Sequence, residues 1–304
     1  RILGLIEADG AEPGRAIRGA PVFGGLSELG KMLDLLAVRY NATPWVAVAG
    51  TVRSNETMNA VLETATRHGS EVMALGSDRE GLHLQGVRPA DLLARPQRKL
   101  DIQPVRSLLA GKRIFVTGAG GTIGSELVRQ CADLGAAQLT LYDASEFNLY
   151  EIDLTLRERN PDLDVYAQIG DVRDKTRLRE AVKHAKPDIM IHAAALKHVP
   201  LMELNPCEAI LTNVGGAINA VDIAIECGLE RFVFISTDKA VDPDNVMGAT
   251  KRLAELALAY RTKDTKLAVS MVRFGNVLGS SGSVVPLFER QIAAGGPLTL
   301  TDDQ

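Results

Sequence analysis

Cysteine is scarce in this sequence: the chain of 304 residues has three, Cys131, Cys207 and Cys227. An odd number with no C-x-x-C pair excludes a disulfide framework and a thiolate metal site, and a reducing cytoplasm is the expected compartment. Histidine is also sparse. The closest pair, His192 and His198, lies six positions apart, which is not ligand spacing, so no metal is expected. Excess positive charge is missing too: 34 Lys and Arg against 38 Asp and Glu leave a net charge of −4, without the basic footprint that nucleic acid requires. No run approaches the roughly 18 continuous apolar residues of a membrane span, and no charged-then-apolar signal pattern opens the chain. The chain as it stands is expected to be soluble. It starts at Arg1 inside a strand-like run and stops at Thr301-Asp302-Asp303-Gln304 with no closing element, so it reads as a piece of a longer protein.

What is present is an ordinary globular mix, 46% apolar and 24% charged, in a chain long enough for about two domains. Short β-branched runs alternate with helical periodicity, the pattern of βαβ units around a parallel sheet. In the first hundred residues, strands are expected at Ile2 to Ile6, Trp45 to Val48 and Glu71 to Ala74, and helices at Leu26 to Arg39 and Asn55 to His68. Gly76 to Gln103, with Pro89 and Pro96, Pro104 just after it and the basic run Arg95 to Lys99, reads as a connector. The domain boundary is expected near residue 100, giving a small α/β domain over 1–100 and a larger one over 101–304. In the larger one, strands are expected at Arg113 to Thr117, Gln138 to Tyr142, Asp164 to Gln168, Asp188 to His192, Arg231 to Ser236 and Lys266 to Val272. Six strands with five crossovers make a doubly wound parallel sheet, which binds its ligand beyond the carboxyl ends of the strands.

Directly after the first of these strands comes Thr117-Gly118-Ala119-Gly120-Gly121-Thr122-Ile123-Gly124, then a helical stretch. Gly118, Gly121 and Gly124 have the spacing that turns the backbone tightly, admits a pyrophosphate and seats it at a helix N-terminus. Gly118, Gly120, Gly121, Thr122, Ile123 and Gly124 are therefore candidate cofactor residues. Asp143 ends the second strand, where a carboxylate accepts from ribose hydroxyls and repels a 2′-phosphate, favouring NAD over NADP. Asp171 and Val172 follow the third strand; Asp171 either accepts from an adenine amine or caps the next helix. Ala193, Ala194 and Ala195 follow the fourth, small enough for a flat ring or ribose to lie close.

After the fifth strand come Thr237-Asp238-Lys239 and then Met247-Gly248-Ala249-Thr250-Lys251 on an expected helix, where 247 and 251 share a face. Together with Ala193 to Pro200, Thr212-Asn213, Asn245 to Lys251 and Arg273-Phe274-Gly275-Asn276-Val277, these stretches resemble the extended short-chain dehydrogenases/reductases. The nearer resemblance is to the polysaccharide-biosynthesis type of UDP-N-acetylglucosamine 4,6-dehydratase. That superfamily usually has Tyr-x-x-x-Lys where this chain has Met247 and Lys251. Met at this place is characteristic of the long, membrane-anchored branch.

The resemblance implies a catalytic cycle in which hydride leaves sugar C4 for NAD, water is lost across C5 and C6, and hydride returns to C6. It implies Lys239 as base at C5, Asp238 as acid at O6, Thr237 as hydrogen-bonding partner of O4, and Lys251 and Asn213 as cofactor-side residues. Lys197, His198, Glu203, Arg273 and Asn276 are implied candidates for the UDP-sugar pocket. For the full-length protein it implies attachment to the cytoplasmic face of a bacterial inner membrane through segments outside this chain, with a homo-oligomer as a further expectation. The first domain resembles the nucleotide-binding-like module of the long branch; its Ala49-Gly50-Thr51 turn lacks the glycine spacing, so a structural or docking role is expected. Two rivals remain at this level: a nucleotide-sugar 4-epimerase, and an NAD-binding regulatory protein without catalysis.

Overall fold

A computed structural model describes residues 2–7, 14–49, 55–78, 81–86, 101–277 and 284–299. The chain divides into two compact units, Arg1–Lys99 with Val284–Gln304, and Leu100–Ser283. The last 21 residues group with the first unit, whereas the sequence reading runs the second to residue 304; once the sixth strand is laid down, the sheet needs no further crossover.

In the first unit, β1 (Leu5–Glu7), β2 (Ala16–Ile17) and β3 (Ala20–Gly25) form a sheet of order β1-β3-β2. A second sheet has β4 (Val46–Ala49), β5 (Val72–Asp78) and β6 (Gly81–Gly86) in that order. Helix α1 (Leu29–Tyr40) buries Leu29, Leu33 and Leu36 along one face and ends where Asn41 turns left-handed at φ +49°. With Val48 of β4 and Met58 and Val61 of α2 (Asn55–Arg67), Leu29 and Leu33 form a small core. The sequence reading missed β2 and β3. It also took as connector a stretch that includes β6, which pairs antiparallel with β5, and the start of α3 (Gln103–Leu109). Gly50 and Thr51 of the expected turn and the basic run 95–99 lie outside the described residues.

The second unit holds β7 (Arg113–Thr117), β8 (Gln138–Asp143), β9 (Asp164–Ile169), β10 (Ile189–His192), β11 (Arg231–Ile235) and β12 (Ala268–Val272). They form one parallel sheet of order β12-β11-β10-β7-β8-β9. This is the doubly wound arrangement, with the order reversing between β7 and β10. The four inner strands, β7, β8, β10 and β11, read as apolar runs because both sheet faces are covered there: Phe115, Met190, Phe232 and Phe234 serve one core, and Ile114, Val116, Leu139, Leu141, Ile189 and Ile191 the other.

The crossover helices are α4 (Thr122–Asp133), α5 (Glu146–Arg159), α6 (Lys175–Ala185), the short α7 (Val199–Leu204) and α8 (Pro206–Ala209), α9 (Gly216–Glu226) and α10 (Val246–Thr262). Between α8 and α9, Ile210–Gly215 is a π-helical turn. Ser145, Asp174 and Asn245 cap α5, α6 and α10 through their side chains. The continuous helical stretch Pro206–Glu226 is long and apolar enough by composition to cross a membrane. Half of it is buried inside the fold, where Ala217, Ala220, Val221 and Ile223 belong to the core. In the first unit, the helix Val284–Ala293 is α11.

Candidate active site

The turn after β7 is shaped by the absence of side chains. Gly118 sits at φ +66°, and a Cβ there would stand 2.6 Å from the Ala194 nitrogen and 2.7 Å from its Cα. A Cβ on Gly124 would run into the Gly118 carbonyl oxygen, and one on Gly120 would lie 2.5 Å from Asn148 Cβ. Helix α4 begins at Gly121 with no side-chain cap, so an anion can take the place of a capping oxygen at the positive end of the helix dipole. The cradle is backbone throughout and fits a dinucleotide pyrophosphate. Thr122 and Ile123 form the first turn of that helix.

Asp143 is bound to this turn: Oδ2 accepts from Gly120 N at 2.9 Å and Oδ1 from Ser145 N at 2.9 Å. Each oxygen keeps a further acceptor direction for a ribose hydroxyl. Asp171 accepts from Arg173 N at 2.9 Å and from its guanidinium, which holds the Asp171 carboxyl below the usual range. It is not a helix cap. That role falls to Asp174, whose Oδ1 accepts from Arg177 N at 2.9 Å, because the cap must immediately precede the first helical residue, Lys175. Val172 is buried against Gly216, where a Cβ would come within 2.6 Å of its Cγ2.

Ala193 N donates to Thr117 O at 3.1 Å and Ala194 N to Thr117 Oγ1 at 3.3 Å, so the segment leading to Ala195 is drawn against the glycine turn. Below it, His192 is fully buried. Its Nδ1 stands 2.8 Å from Thr117 Oγ1, its ring stacks on Phe232 and Phe234, its Nε2 has no partner, and burial pushes its pKa down to about 3. Asn213, buried in the π-helical turn, accepts from Leu196 N at 2.8 Å and donates to Leu196 O and Thr250 Oγ1, each at 3.0 Å. Both its amide hydrogens are thus used inside the protein, fixing the loop after β10 to α10.

The second half of the site lies beyond β11 and β12. Lys251 Nζ is buried, donates to Ile235 O at 2.9 Å and stands 4.6 Å from the centre of the Phe234 ring. Burial pulls its pKa down to about 8, against the opposing influence of Glu255. Met247, one turn earlier, packs with Met202 and Ala209. In the turn after β11, Asp238 Oδ1 accepts from Thr237 Oγ1 at 2.9 Å and from Lys239 N at 2.8 Å. Lys239 Nζ lies 3.5 Å from that oxygen and donates to Asn276 Oδ1 at 3.1 Å. The Thr237 hydroxyl and the Lys239 ammonium together hold the Asp238 carboxyl below its ordinary value.

The five pocket candidates separate. Asn276 joins Lys239, and Lys197 and His198 lie exposed in the loop before α7. Glu203 accepts from Val246 N at 2.7 Å, at the start of α10, and Arg273 is ion-paired with buried Glu255. The sequence reading gives no site role to His192, Thr117, Ser236 or Glu255. The one local signal for Glu255 is its position four residues after Lys251 on the same helix.

A glycine turn at the first strand, a carboxylate closing the second and a lysine helix packed beside the fifth define a Rossmann-fold protein of the extended short-chain dehydrogenase/reductase class. The chain belongs to the family described as polysaccharide biosynthesis protein, which matches residues 114–304. It is 37% identical to the probable polysaccharide biosynthesis protein EpsC of Bacillus subtilis, over 98% of this chain and 50% of that protein. To a UDP-N-acetylglucosamine 4,6-dehydratase (inverting) of Campylobacter jejuni it is 39% identical, over 63% of this chain and 57% of that one. To a UDP-glucose 4-epimerase of Rickettsia canadensis it is 37% identical, over 64% and 58%. Among solved structures, DesIV, a dTDP-glucose 4,6-dehydratase of Streptomyces venezuelae with NAD and TYD bound, aligns with a TM-score of 0.54 at 26% identity, over 63% of this chain and 65% of that one. The chain spans about half or less of the length of the first curated relatives it matches.

Proposed function

We propose that the protein is an NAD-dependent nucleotide-sugar 4,6-dehydratase, a lyase that converts UDP-N-acetylglucosamine to its 4-keto-6-deoxy derivative for surface polysaccharide or glycan synthesis. The observation that carries this reading is the Asp238–Lys239 pair, its groups 3.5 Å apart at the end of β11 with Asn276 bound to the lysine. Loss of water across C5 and C6 needs a base and an acid side by side. The names of the Campylobacter relative and of DesIV support the reaction class.

Gly118 to Gly124 would hold the NAD pyrophosphate, Asp143 the adenosine ribose and Lys251 the nicotinamide ribose, with Ala193 to Ala195 lining the cleft. The chemistry that NAD supplies when bound is hydride transfer, out from C4 and back to C6. Thr237 hydrogen-bonds O4, and as hydride leaves C4 the O4 proton passes through the Thr237 hydroxyl to the Asp238 carboxylate it contacts. Lys239 as free amine takes the C5 proton once a 4-ketone has acidified it; the C5 electron pair forms the C5–C6 double bond, and hydroxide leaves C6 with the proton of Asp238 as water. In the ligand-free protein Asp238 is held as a carboxylate, so the proton it delivers at C6 is the one received from O4. Met247 has no proton to exchange and serves as packing.

A second reading, 4-epimerase, has the support of the Rickettsia relative. It requires a tyrosine base where Met247 stands and has no use for an acid–base pair aimed at C5 and C6. We place the whole protein at the cytoplasmic membrane face, through segments outside this chain. The deciding experiment is incubation of the full-length protein with UDP-N-acetylglucosamine in deuterated water. A 4-keto-6-deoxy product carrying deuterium at C5 is expected. A C4 epimer without C5 label would establish the epimerase, and cofactor binding with no exchange would leave a regulatory protein.

A further inference from the structure

Glu255 belongs to none of the groups assigned above, yet the site is built around it. It lies on α10 one turn beyond Lys251 and is 3% exposed. Ser236 Oγ donates to its carboxylate at 2.6 Å, Arg273 Nε at 2.8 Å and Nη2 at 2.5 Å, and Arg252 Nη1 at 3.3 Å. Ser236 sits between Ile235, whose carbonyl receives Lys251, and Thr237, which opens the Asp238–Lys239 turn. Arg273 leads to Gly275, which faces Asp238, and to Asn276, which receives Lys239. One carboxylate therefore joins three separate pieces of chain, each bearing part of the site.

We infer that Glu255 is a positioning residue for both halves of the site: it clamps the ends of β11 and β12 onto α10 and supplies the negative charge that keeps buried Lys251 an ammonium. The inference rests on the reading of Lys251 and Asp238–Lys239 as the working groups. The charges around Glu255 are Lys251 and Arg252 from its own helix and Arg273 from the end of β12; β11 contributes only neutral Ser236, and β10 faces Lys251 with His192. Burial opposes ionisation of Glu255, and the Arg273, Ser236 and Arg252 hydrogen bonds overcome it. A neutral Lys251 could not offer a charged grip to a ribose.

The test is an NMR titration of Lys251 in the cofactor-free chain labelled with ¹³C-lysine, its signal assigned by Lys251→Arg. The midpoint, near 8 in the unaltered chain, should fall by about one pH unit or more in Glu255→Gln, a tenfold or greater loss of proton affinity. It should rise in Arg273→Gln, which removes a competing cation and leaves the carboxylate. Simple loosening of the fold would move both midpoints in one direction. The inference is overturned if folded Glu255→Gln leaves the midpoint unchanged or raised, or if Arg273→Gln does not raise it. Should Glu255→Gln fail to fold, Arg273→Gln decides alone by the same sign. Calorimetry with NAD is run separately, so failure of the cofactor reading leaves the titration result intact.

Discussion

Gly248 lies so close to the carbonyl oxygen of Lys239 that no side chain can stand between them. The helix that presents Lys251 therefore touches the backbone of the Asp238–Lys239 turn, and the spacing of these two parts of the site is set by a missing methyl group.

Gly248→Ala should push the turn away from α10. Overpacking of this kind typically costs about 1–3 kcal/mol. A lowered melting temperature is expected, with turnover falling further than NAD affinity, since the cradle at Gly118 to Gly124 is remote in sequence and made of other strands. Equal turnover and unchanged melting would remove Gly248 as a spacer.

Lys239→Ala and Asp238→Asn should each lower turnover of the full-length protein by on the order of 10² to 10⁴. They should differ in kind: Lys239→Ala abolishes exchange of the C5 hydrogen with solvent, whereas Asp238→Asn retains some exchange while elimination stalls. C5 exchange persisting at the normal rate in Lys239→Ala would take the base role away from it.

Met247→Ala should separate packing from chemistry. Deleting a buried Met side chain costs about 2–5 kcal/mol of stability. Turnover per folded molecule at low temperature should stay well above that of Lys239→Ala, because no proton passes through the thioether. A loss as great as that of Lys239→Ala, in protein shown to be folded, would contradict this.

Asp143→Ala should weaken NAD binding and relax discrimination against NADP, measured by calorimetry. Because Asp143 also holds Gly120 N, a lower melting temperature is expected without cofactor present. Equal affinity of the unaltered protein for the two cofactors would refute the role.

His192 gives the pH dependence. Burial holds its folded pKa at about 3, below the ordinary histidine value of 6.5, so its stabilising contribution is present in full above pH 6.5 and is lost as pH falls toward 3. The slope over that window is up to about 1.4 kcal/mol per pH unit. Denaturant unfolding of His192→Phe, which can keep the stacking and needs no proton, should show a shallower acid decline than the unaltered chain. Parallel pH profiles would rule this out.

The inner strands of the second unit's sheet, β7, β8, β10 and β11, were legible in the sequence because both sheet faces are buried there. The observed strands β7, β8, β9, β10, β11 and β12 fall within two residues of the expected ends. In the first unit, β3 ends in Gly24-Gly25 and β6 is bounded by Gly81 and Gly86, residues that read as breaks, so both went unseen. Gly118 and Gly124 could be picked out because their spacing is local. Glu255 and His192 could not: the partners that reveal them, Arg273 and Thr117, lie 18 and 75 positions away. Asp171 and Asp174 were separable only once the first residue of α6 was known.

The cradle at Gly118, Gly120 and Gly124 is specified by atoms that are missing, whereas the far end of the cleft is specified by side chains such as Thr237, Lys239 and Asn276. These two modes of encoding respond differently to mutation. Any replacement of these three glycines adds bulk where none fits, so inherited variation there meets an immediate penalty, while the distal side chains can be exchanged one at a time on an unaltered backbone. On the proposed reading, new sugar preferences can therefore arise in such a chain without its grip on the dinucleotide being rebuilt.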